Sequence, residues 1–179
     1  MIKNKIYTIL VIGFFLVAAM GTGSPACGEG RPVSPTEIDR LDKNKAPDFS
    51  LKDVAGQSTA LSSLRGKVVL LCFWATWCPP CLSEMPAFNK LYKEMRSRGL
   101  EIVAVSADSS IVYLQDYLKK NSFDFRILHD ERRTVVKQYK VFSMPTTFLI
   151  DKSGVIVEKF FGEYDWNDQE MKKKIEKLL

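Results

Sequence analysis

The stretch Trp77-Cys78-Pro79-Pro80-Cys81 stands where the character of the sequence changes. The residues before it, 68–74, are apolar and rich in β-branched and aromatic side chains, which is typical of a buried strand. The apolar residues after it recur at spacings of three and four, which is typical of one face of a helix. They are Leu82, Met85, Phe88, Leu91, Tyr92 and Met95. The sequence therefore predicts a Cys-x-x-Cys motif at a strand-to-helix junction.

The position of Cys78 at the predicted helix N-terminus would favour its ionised form. Unpaired amides and the helix dipole stabilise a negative sulfur there, and such thiols titrate below the free value of about 8.5. We therefore expect Cys78 to be exposed and ionised, with Cys81 one turn further on, on the inner side. Pro79 and Pro80 remove two amides that could solvate this sulfur. That loss predicts a reductant or moderate exchanger, and not a strong oxidant with a potential near about −120 mV.

Two other interpretations of the motif are weaker. A zinc site needs four ligands, and outside this pair the sequence offers only Cys27, Cys72 and His129. A purely structural disulfide that closes so short a loop would add little stability. The sequence thus favours thiol–disulfide exchange, which needs no metal and no organic cofactor.

Two stretches together resemble the thioredoxin superfamily: residues 73–81, FWATWCPPC, and residues 143–150, SMPTTFLI. Within it, the chain is similar to the extracytoplasmic TlpA/ResA/DsbE-like thiol-disulfide oxidoreductases. The resemblance implies a thioredoxin fold, a three-layer α/β/α arrangement around a central mixed sheet. Strands that alternate with helices also fit this α/β class. A hairpin that turns near Gly56 would add an N-terminal β-hairpin extension.

The resemblance also implies roles for residues around the motif. In this family the proline at the position of Pro145 is cis, and the backbone of the residue before it, here Met144, pairs with a bound substrate strand. A proline at a strand entry is otherwise usually trans. Trp77 resembles a surface tryptophan that shields the disulfide and contacts partners. We count Pro79 and Pro80 with these residues as substrate-binding.

Glu84 follows Cys81 by three residues and so lies on the same side of the helix. Burial among apolar neighbours would raise the pKa of its carboxyl and let it exchange protons. ResA-like proteins carry a buried acid at this spacing that assists the buried cysteine. The resemblance thus makes Glu84 a catalytic candidate beside Cys78 and Cys81. The alternative is an exposed glutamate that the helix dipole favours.

Cys72 stands at the strand position where cytoplasmic thioredoxins hold a buried aspartate that handles the proton of the second cysteine. Because a thiol replaces that aspartate here, Glu84 becomes the stronger candidate for handling the proton of Cys81. Cys72 itself is predicted to be a small core residue, with a third redox thiol as the alternative. We expect His129 and Asp130 to be structural, because a single histidine marks no site.

Residues 1–27 are typical of an export or anchoring segment. Lys3 and Lys5 precede the apolar residues 6–20, which are few for a membrane span of about 20 residues. Cys27 follows small residues and resembles a bacterial lipoprotein acceptor. We predict a signal peptide, a lipoprotein signal or an uncleaved membrane anchor. Each of these places the protein in the periplasm or on the outer face of the cytoplasmic membrane.

Residues 28–45 carry Gly, Pro, Ser and mixed charges without apolar periodicity, which predicts a flexible tether. Residues 46–179 are then the thioredoxin-like domain. The whole chain is 46% apolar, which is enough for a core, and its net charge of +5 is modest. The densest run of lysines, 172–174, falls in a pattern typical of a helix. Such lysines usually form a solvent-exposed helix face. We therefore expect no nucleic-acid partner.

The function that we expect is extracytoplasmic reduction of protein disulfides. Partners would be protein disulfides such as those of apocytochrome c, and a membrane thiol reductant of the kind that serves this family. A thiol peroxidase is one alternative, because the opening at residues 46–49, APDF, is similar to that of peroxiredoxins. Those enzymes need a Thr-x-x-Cys setting, however, and Thr76 lies only two residues before Cys78. A non-catalytic partner-binding module is the other alternative.

Overall fold

The computed structural model describes residues 44–179. Its strands are β1 (Ser50–Lys52), β2 (Ser58–Ala60), β3 (Val68–Trp74), β4 (Leu100–Ser106), β5 (Arg126–His129), β6 (Thr146–Ile150) and β7 (Ile156–Phe161). Its helices are α1 (Pro79–Met95), α2 (Ile111–Lys120), α3 (Thr134–Gln138) and α4 (Gln169–Glu176), with 3-10 turns at Leu61–Leu64 and Arg96–Arg98. The predicted export segment, the acceptor Cys27 and all but the end of the predicted tether lie outside the described residues. None of the helices in residues 44–179 has the length and apolar character that crossing a membrane requires.

The strands form one seven-stranded sheet in the order β2-β1-β5-β4-β3-β6-β7. The inner strands β3, β4 and β5 are parallel, whereas β6 is antiparallel to β3 and β7 is antiparallel to β6. At the other edge β1 and β2 form an antiparallel hairpin, with Gly56 at a φ of +86° in its turn. The predicted mixed sheet and N-terminal hairpin extension are therefore confirmed.

Two apolar cores lie on opposite faces of the sheet, because successive side chains of a strand point to opposite sides. Leu70, Cys72 and Trp74 of β3 face a core that contains side chains of α1, α2 and α4. Leu71 and Phe73 face a second core that contains side chains of α3. The crossovers β3-α1-β4 and β4-α2-β5 step in the same direction, so right-handed connections place both helices on one face. The predicted three-layer arrangement is confirmed.

Backbone pairing and capping bonds mark the two ends of the described domain. Lys45, the last residue of the predicted tether, forms a β-bridge with Val155. The Asp165 carboxylate accepts the amide of Asn167 in a turn before the final helix, α4. The helix begins four residues later, and Asp168 caps it through the amides of Glu170 and Met171.

The stack of Phe88 on Trp166 ties α1 to the segment before α4, with ring centroids 4.7 Å apart. We expect Phe88→Ala to lower the free energy of unfolding by about 3–5 kcal/mol, because both rings are fully buried and a cavity would remain. Tyr113→Ala is the control: this ring is 60% exposed, and its loss should cost within about 0.5 kcal/mol. Urea unfolding of the full chain measures both. Equal losses in the two variants would contradict this account of the core.

Candidate active site

The Cys-x-x-Cys motif lies where β3 has ended and α1 begins. Cys78 is the N-cap residue of α1, and Pro79 and Pro80 occupy its first two positions. Cys78 and Cys81 form a disulfide with their Cα atoms 5.3 Å apart, and the Cys81 amide donates to the Cys78 carbonyl at 3.0 Å. The predicted strand-to-helix placement is confirmed. Because both prolines lack an N–H, this helix start presents fewer amides to a Cys78 thiolate than an ordinary one would.

The expectation that Cys78 is exposed is wrong for the disulfide form. Cys78 is only 5% exposed, because the sulfur–sulfur bond holds its side chain against Cys81, which is buried. A cysteine in a disulfide does not titrate, so the predicted thiolate concerns the reduced protein.

Trp77 and the Met144–Pro145 pair, which are far apart in sequence, lie around the end of β3. Trp77 is 59% exposed, as predicted for a surface tryptophan next to the motif. The Met144–Pro145 peptide bond is cis, as the resemblance implied. Pro145 precedes β6, whose Thr146 pairs with Phe73 of β3. Trp77 and Met144 line the same pocket, so the sheet brings the cis-proline loop to the motif.

Glu84 is buried on α1, one turn beyond the disulfide. It is 2% exposed, so the alternative of an exposed glutamate is wrong. Its Oε1 atom accepts the Tyr164 amide at 2.8 Å and the Trp166 Nε1–H at 2.7 Å. Its Oε2 atom has no hydrogen-bond partner among the described residues. Desolvation raises the pKa of Glu84 to about 7, although the bonds from Tyr164 and Trp166 act in the opposite direction.

Cys72 lies on the same face of β3 as the active-site helix and is the free cysteine of the described residues. It faces Thr147 across the β3–β6 pair. Burial, and then the nearby charge of Glu84, raise the pKa of the Cys72 thiol far above its ordinary value. Cys72 is therefore a buried, protonated thiol at neutral pH, as expected for a small core residue.

Asp108 is a site residue that sequence reasoning missed. It is fully buried just beyond the end of β4 and accepts hydrogen bonds from the Thr76 hydroxyl and the Ser106 hydroxyl, each at 2.7 Å. These bonds fix the loop that carries Trp77 out of β3. The signal was an acidic residue at the carboxyl end of a strand, the edge where α/β sheets place their sites.

Arg133, Tyr164 and Trp166 were also missed. The Nε–H of Arg133 donates to the Ala107 carbonyl at 3.1 Å, and its guanidinium carbon lies 5.8 Å from the centre of the Trp77 ring. Tyr164 and Trp166 lie 80 and 82 residues beyond the glutamate that they bind. The only local sequence signal for Tyr164 and Trp166 was that two aromatic residues follow the predicted hairpin.

His129 and Asp130 make the contacts of structural residues. The Nε2 atom of His129 lies 2.8 Å from the Asp108 carbonyl oxygen. The Asp130 carboxylate accepts the amides of Thr134, Val135 and Val136 at the start of α3. Both residues therefore support the elements around the site.

Comparison with known proteins agrees with this geometry. Residues 43–159 match the AhpC/TSA family. The chain is 40% identical over 119 residues to thiol-disulfide oxidoreductase ResA of Bacillus cereus, covering 66% of this chain and 69% of that protein. It is 34% identical over 163 residues to the ResA of Bacillus subtilis, covering 90% of this chain and 84% of that one.

Solved structures give the same result. The crystal structure of a putative thiol:disulfide interchange protein DsbE from Chlorobium tepidum matches with a TM-score of 0.73 at 32% identity, over 77% of this chain and 98% of that one. The pneumococcal exposed lipoprotein thioredoxin from Streptococcus pneumoniae matches with a TM-score of 0.66 at 28% identity, over 74% and 100% of the two chains. The chain therefore belongs to the AhpC/TSA family and, within it, to the ResA/DsbE-like thiol-disulfide oxidoreductases of thioredoxin fold.

Proposed function

We propose that this thiol-disulfide oxidoreductase reduces disulfides of partner proteins outside the cytoplasm, through the Cys78/Cys81 dithiol. The observation that carries the proposal is a disulfide-bonded cysteine pair at the start of α1 with the buried carboxyl of Glu84 one turn away. A disulfide serves exchange when a nearby group can take up and return protons. Glu84 has the required position and a pKa near neutral pH.

The exchange proceeds in two balanced steps. In the reduced protein the Cys78 thiolate attacks one sulfur of the partner disulfide, whose other sulfur leaves as a thiolate and takes a proton from water. Cys81 then gives its proton to the Glu84 carboxylate and attacks the Cys78 sulfur. The mixed disulfide breaks, and the second partner sulfur leaves and is protonated in turn. Two electrons pass from the dithiol to the partner.

Glu84 suits the role of proton acceptor in the second step. A carboxyl with a pKa of about 7 is present in both protonation states near neutral pH. Its Oε1 atom is held by Tyr164 and Trp166, while Oε2 has no partner among residues 44–179. Oε2 is therefore the atom that we assign to the transferred proton.

The cellular setting is inferred from residues 1–45 and from the relatives. A basic start, an apolar stretch and Cys27 favour export or anchoring, and one structural relative is an exposed lipoprotein. Disulfides persist outside the cytoplasm, so a reductant there needs an electron supply, for which we propose a membrane thiol reductant. Apocytochrome c, whose haem-attachment cysteines must be reduced, is the partner that we propose first. No metal and no organic cofactor takes part.

A thiol peroxidase is the second candidate, because the AhpC/TSA match keeps it open. The structure disfavours it, since the Thr76 hydroxyl is taken up by a hydrogen bond to the Asp108 carboxylate. Peroxide consumption by the purified, reduced protein distinguishes the two activities.

Variants of the cysteines test the reductase assignment. We expect Cys78→Ala to abolish reduction of insulin disulfides, because the attacking sulfur is lost. Cys81→Ser should accumulate a mixed disulfide that non-reducing electrophoresis detects, because the resolving sulfur is lost. Cys72→Ala is the control and should keep turnover within about twofold, since this thiol is buried and protonated. Full activity in Cys78→Ala would refute the assignment.

The raised pKa of Glu84 also predicts a pH dependence of stability. Between its ordinary value of 4.5 and its folded value of about 7, the folded oxidised protein holds one proton more than the unfolded chain. Its contribution is therefore complete below about pH 4.5 and is lost as the pH rises through 7. Relative to Glu84→Gln, the wild-type free energy of unfolding should fall by about 3 kcal/mol across that window.

Urea unfolding of the oxidised proteins across this pH range measures the difference. Glu170→Gln is the matched control, because Glu170 is an exposed surface carboxylate. Parallel stability curves for the wild type and Glu84→Gln would show that the carboxyl titrates normally and would remove the proton acceptor from the mechanism.

A further inference from the structure

The pocket next to Trp77 is lined mainly by apolar residues and by one charged side chain. It has a volume of about 310 Å³, and Trp77, Phe142 and Met144 contribute apolar walls. Phe142 is 58% exposed, which makes it a surface that a partner can cover. Arg133 is the charged residue among those that line the pocket.

Arg133 is held in place by three separate contacts or constraints. Its backbone has a φ of 52°, in the left-handed region that residues other than glycine rarely adopt. Its Nε–H donates to the Ala107 carbonyl, and its guanidinium lies over the Trp77 ring. Such a conformation persists when the surroundings fix it, which is frequent at binding sites. The guanidinium is therefore oriented before any partner arrives.

Among residues 44–179, no side chain takes up the two terminal amino groups of this guanidinium, which keep donors for a ligand. The hydrogen bond of Arg133 to Ala107 uses Nε, and no carboxylate within residues 44–179 forms an ion pair with it. The surrounding segment, 130–140, carries two arginines and two lysines against the acidic Asp130 and Glu131, and the Asp130 carboxylate is occupied by three backbone amides. Charge complementarity thus favours an acidic group in the pocket, and a guanidinium matches the two oxygens of a carboxylate.

We infer that Arg133 is a specificity-determining residue that binds a carboxylate of the substrate. Preferred substrates would carry Asp or Glu next to the cysteine that Cys78 attacks. The inference rests on the proposed function and on the substrate pairing at Met144 that the family resemblance implies. Side chains that flank the attacked cysteine then lie next to the pocket that Met144 and Arg133 share.

Matched peptides test the inference. Each peptide carries one cysteine as a mixed disulfide with 2-mercaptoethanol, and the set differs only in having Asp, Asn or Lys directly before or directly after that cysteine. We expect the reduced full-length protein to show a kcat/KM for the Asp peptide about three- to fivefold above that for the Asn peptide, in at least one of the two positions. The ratio should fall toward one at high ionic strength, because salt screens a partly exposed pair.

Variants of Arg133 assign the preference. Arg133→Gln should bring the Asp-to-Asn ratio to about one, Arg133→Lys should retain part of it, and Arg133→Glu should favour the Lys peptide. Lys137→Gln is the control: Lys137 is an exposed cation of α3 that does not line the pocket. The same loss of preference in Lys137→Gln would show that the overall positive charge of this surface, and not Arg133, sets the preference. That result would overturn the inference.

The remaining outcomes separate the inference from the proposed function. Equal rates for all peptides, with rapid reduction of each, would overturn the role of Arg133 and leave the reductase intact. Failure to reduce any peptide would overturn the proposed function itself. A preference that disappeared with anionic lipid vesicles, or that varied with protein concentration, would assign the pocket to a membrane surface or to a second copy of the chain. Either result would also overturn the inference.

Discussion

The pairing of β3 with a strand on each side is the constraint on which the site depends. β4 and β6 cover both edges of β3, and the two cores cover its faces. Because β3 cannot shift, the motif that follows it has a fixed position. β4 leads to Asp108, which binds Thr76, and β6 begins just after the cis proline, Pro145. The sheet thus positions the Thr76–Trp77 loop before the disulfide next to the cis-proline loop at Met144–Pro145.

Within this frame, burial dominates the electrostatics of the site. Glu84 accepts two hydrogen bonds that favour its charged form, yet desolvation outweighs them and the pKa of its carboxyl rises. The same low-dielectric surroundings keep the Cys72 thiol protonated. Glu84 is therefore the buried group near the disulfide that can change its charge at neutral pH. Proton transfer is confined to the side chain that the helix places one turn from Cys81.

The sequence was informative wherever a local pattern carried the answer. The change from strand to helix periodicity located Cys78. The three-residue step from Cys81 placed Glu84 on the same side of the helix, and its apolar neighbours favoured burial over the exposed alternative. The partners of Glu84 could not be predicted, because Tyr164 and Trp166 approach it through tertiary packing that no local pattern encodes. The role of Arg133 depends on its left-handed backbone, which no glycine at this position signalled. The expected exposure of Cys78 was wrong because it neglected how the bond to Cys81 turns the side chain inward.

The indole of Trp166 contacts two elements of the site at once, since it stacks on Phe88 and donates to Glu84. The segment after β7 thereby keeps water away from the Glu84 carboxyl. A molecule that displaced this segment would admit water to Glu84 and return the pKa of its carboxyl toward the ordinary value. The attack of Cys81 on the mixed disulfide would then become slower. Events at the far end of the chain would then be transmitted to the redox centre without any movement of the cysteines themselves.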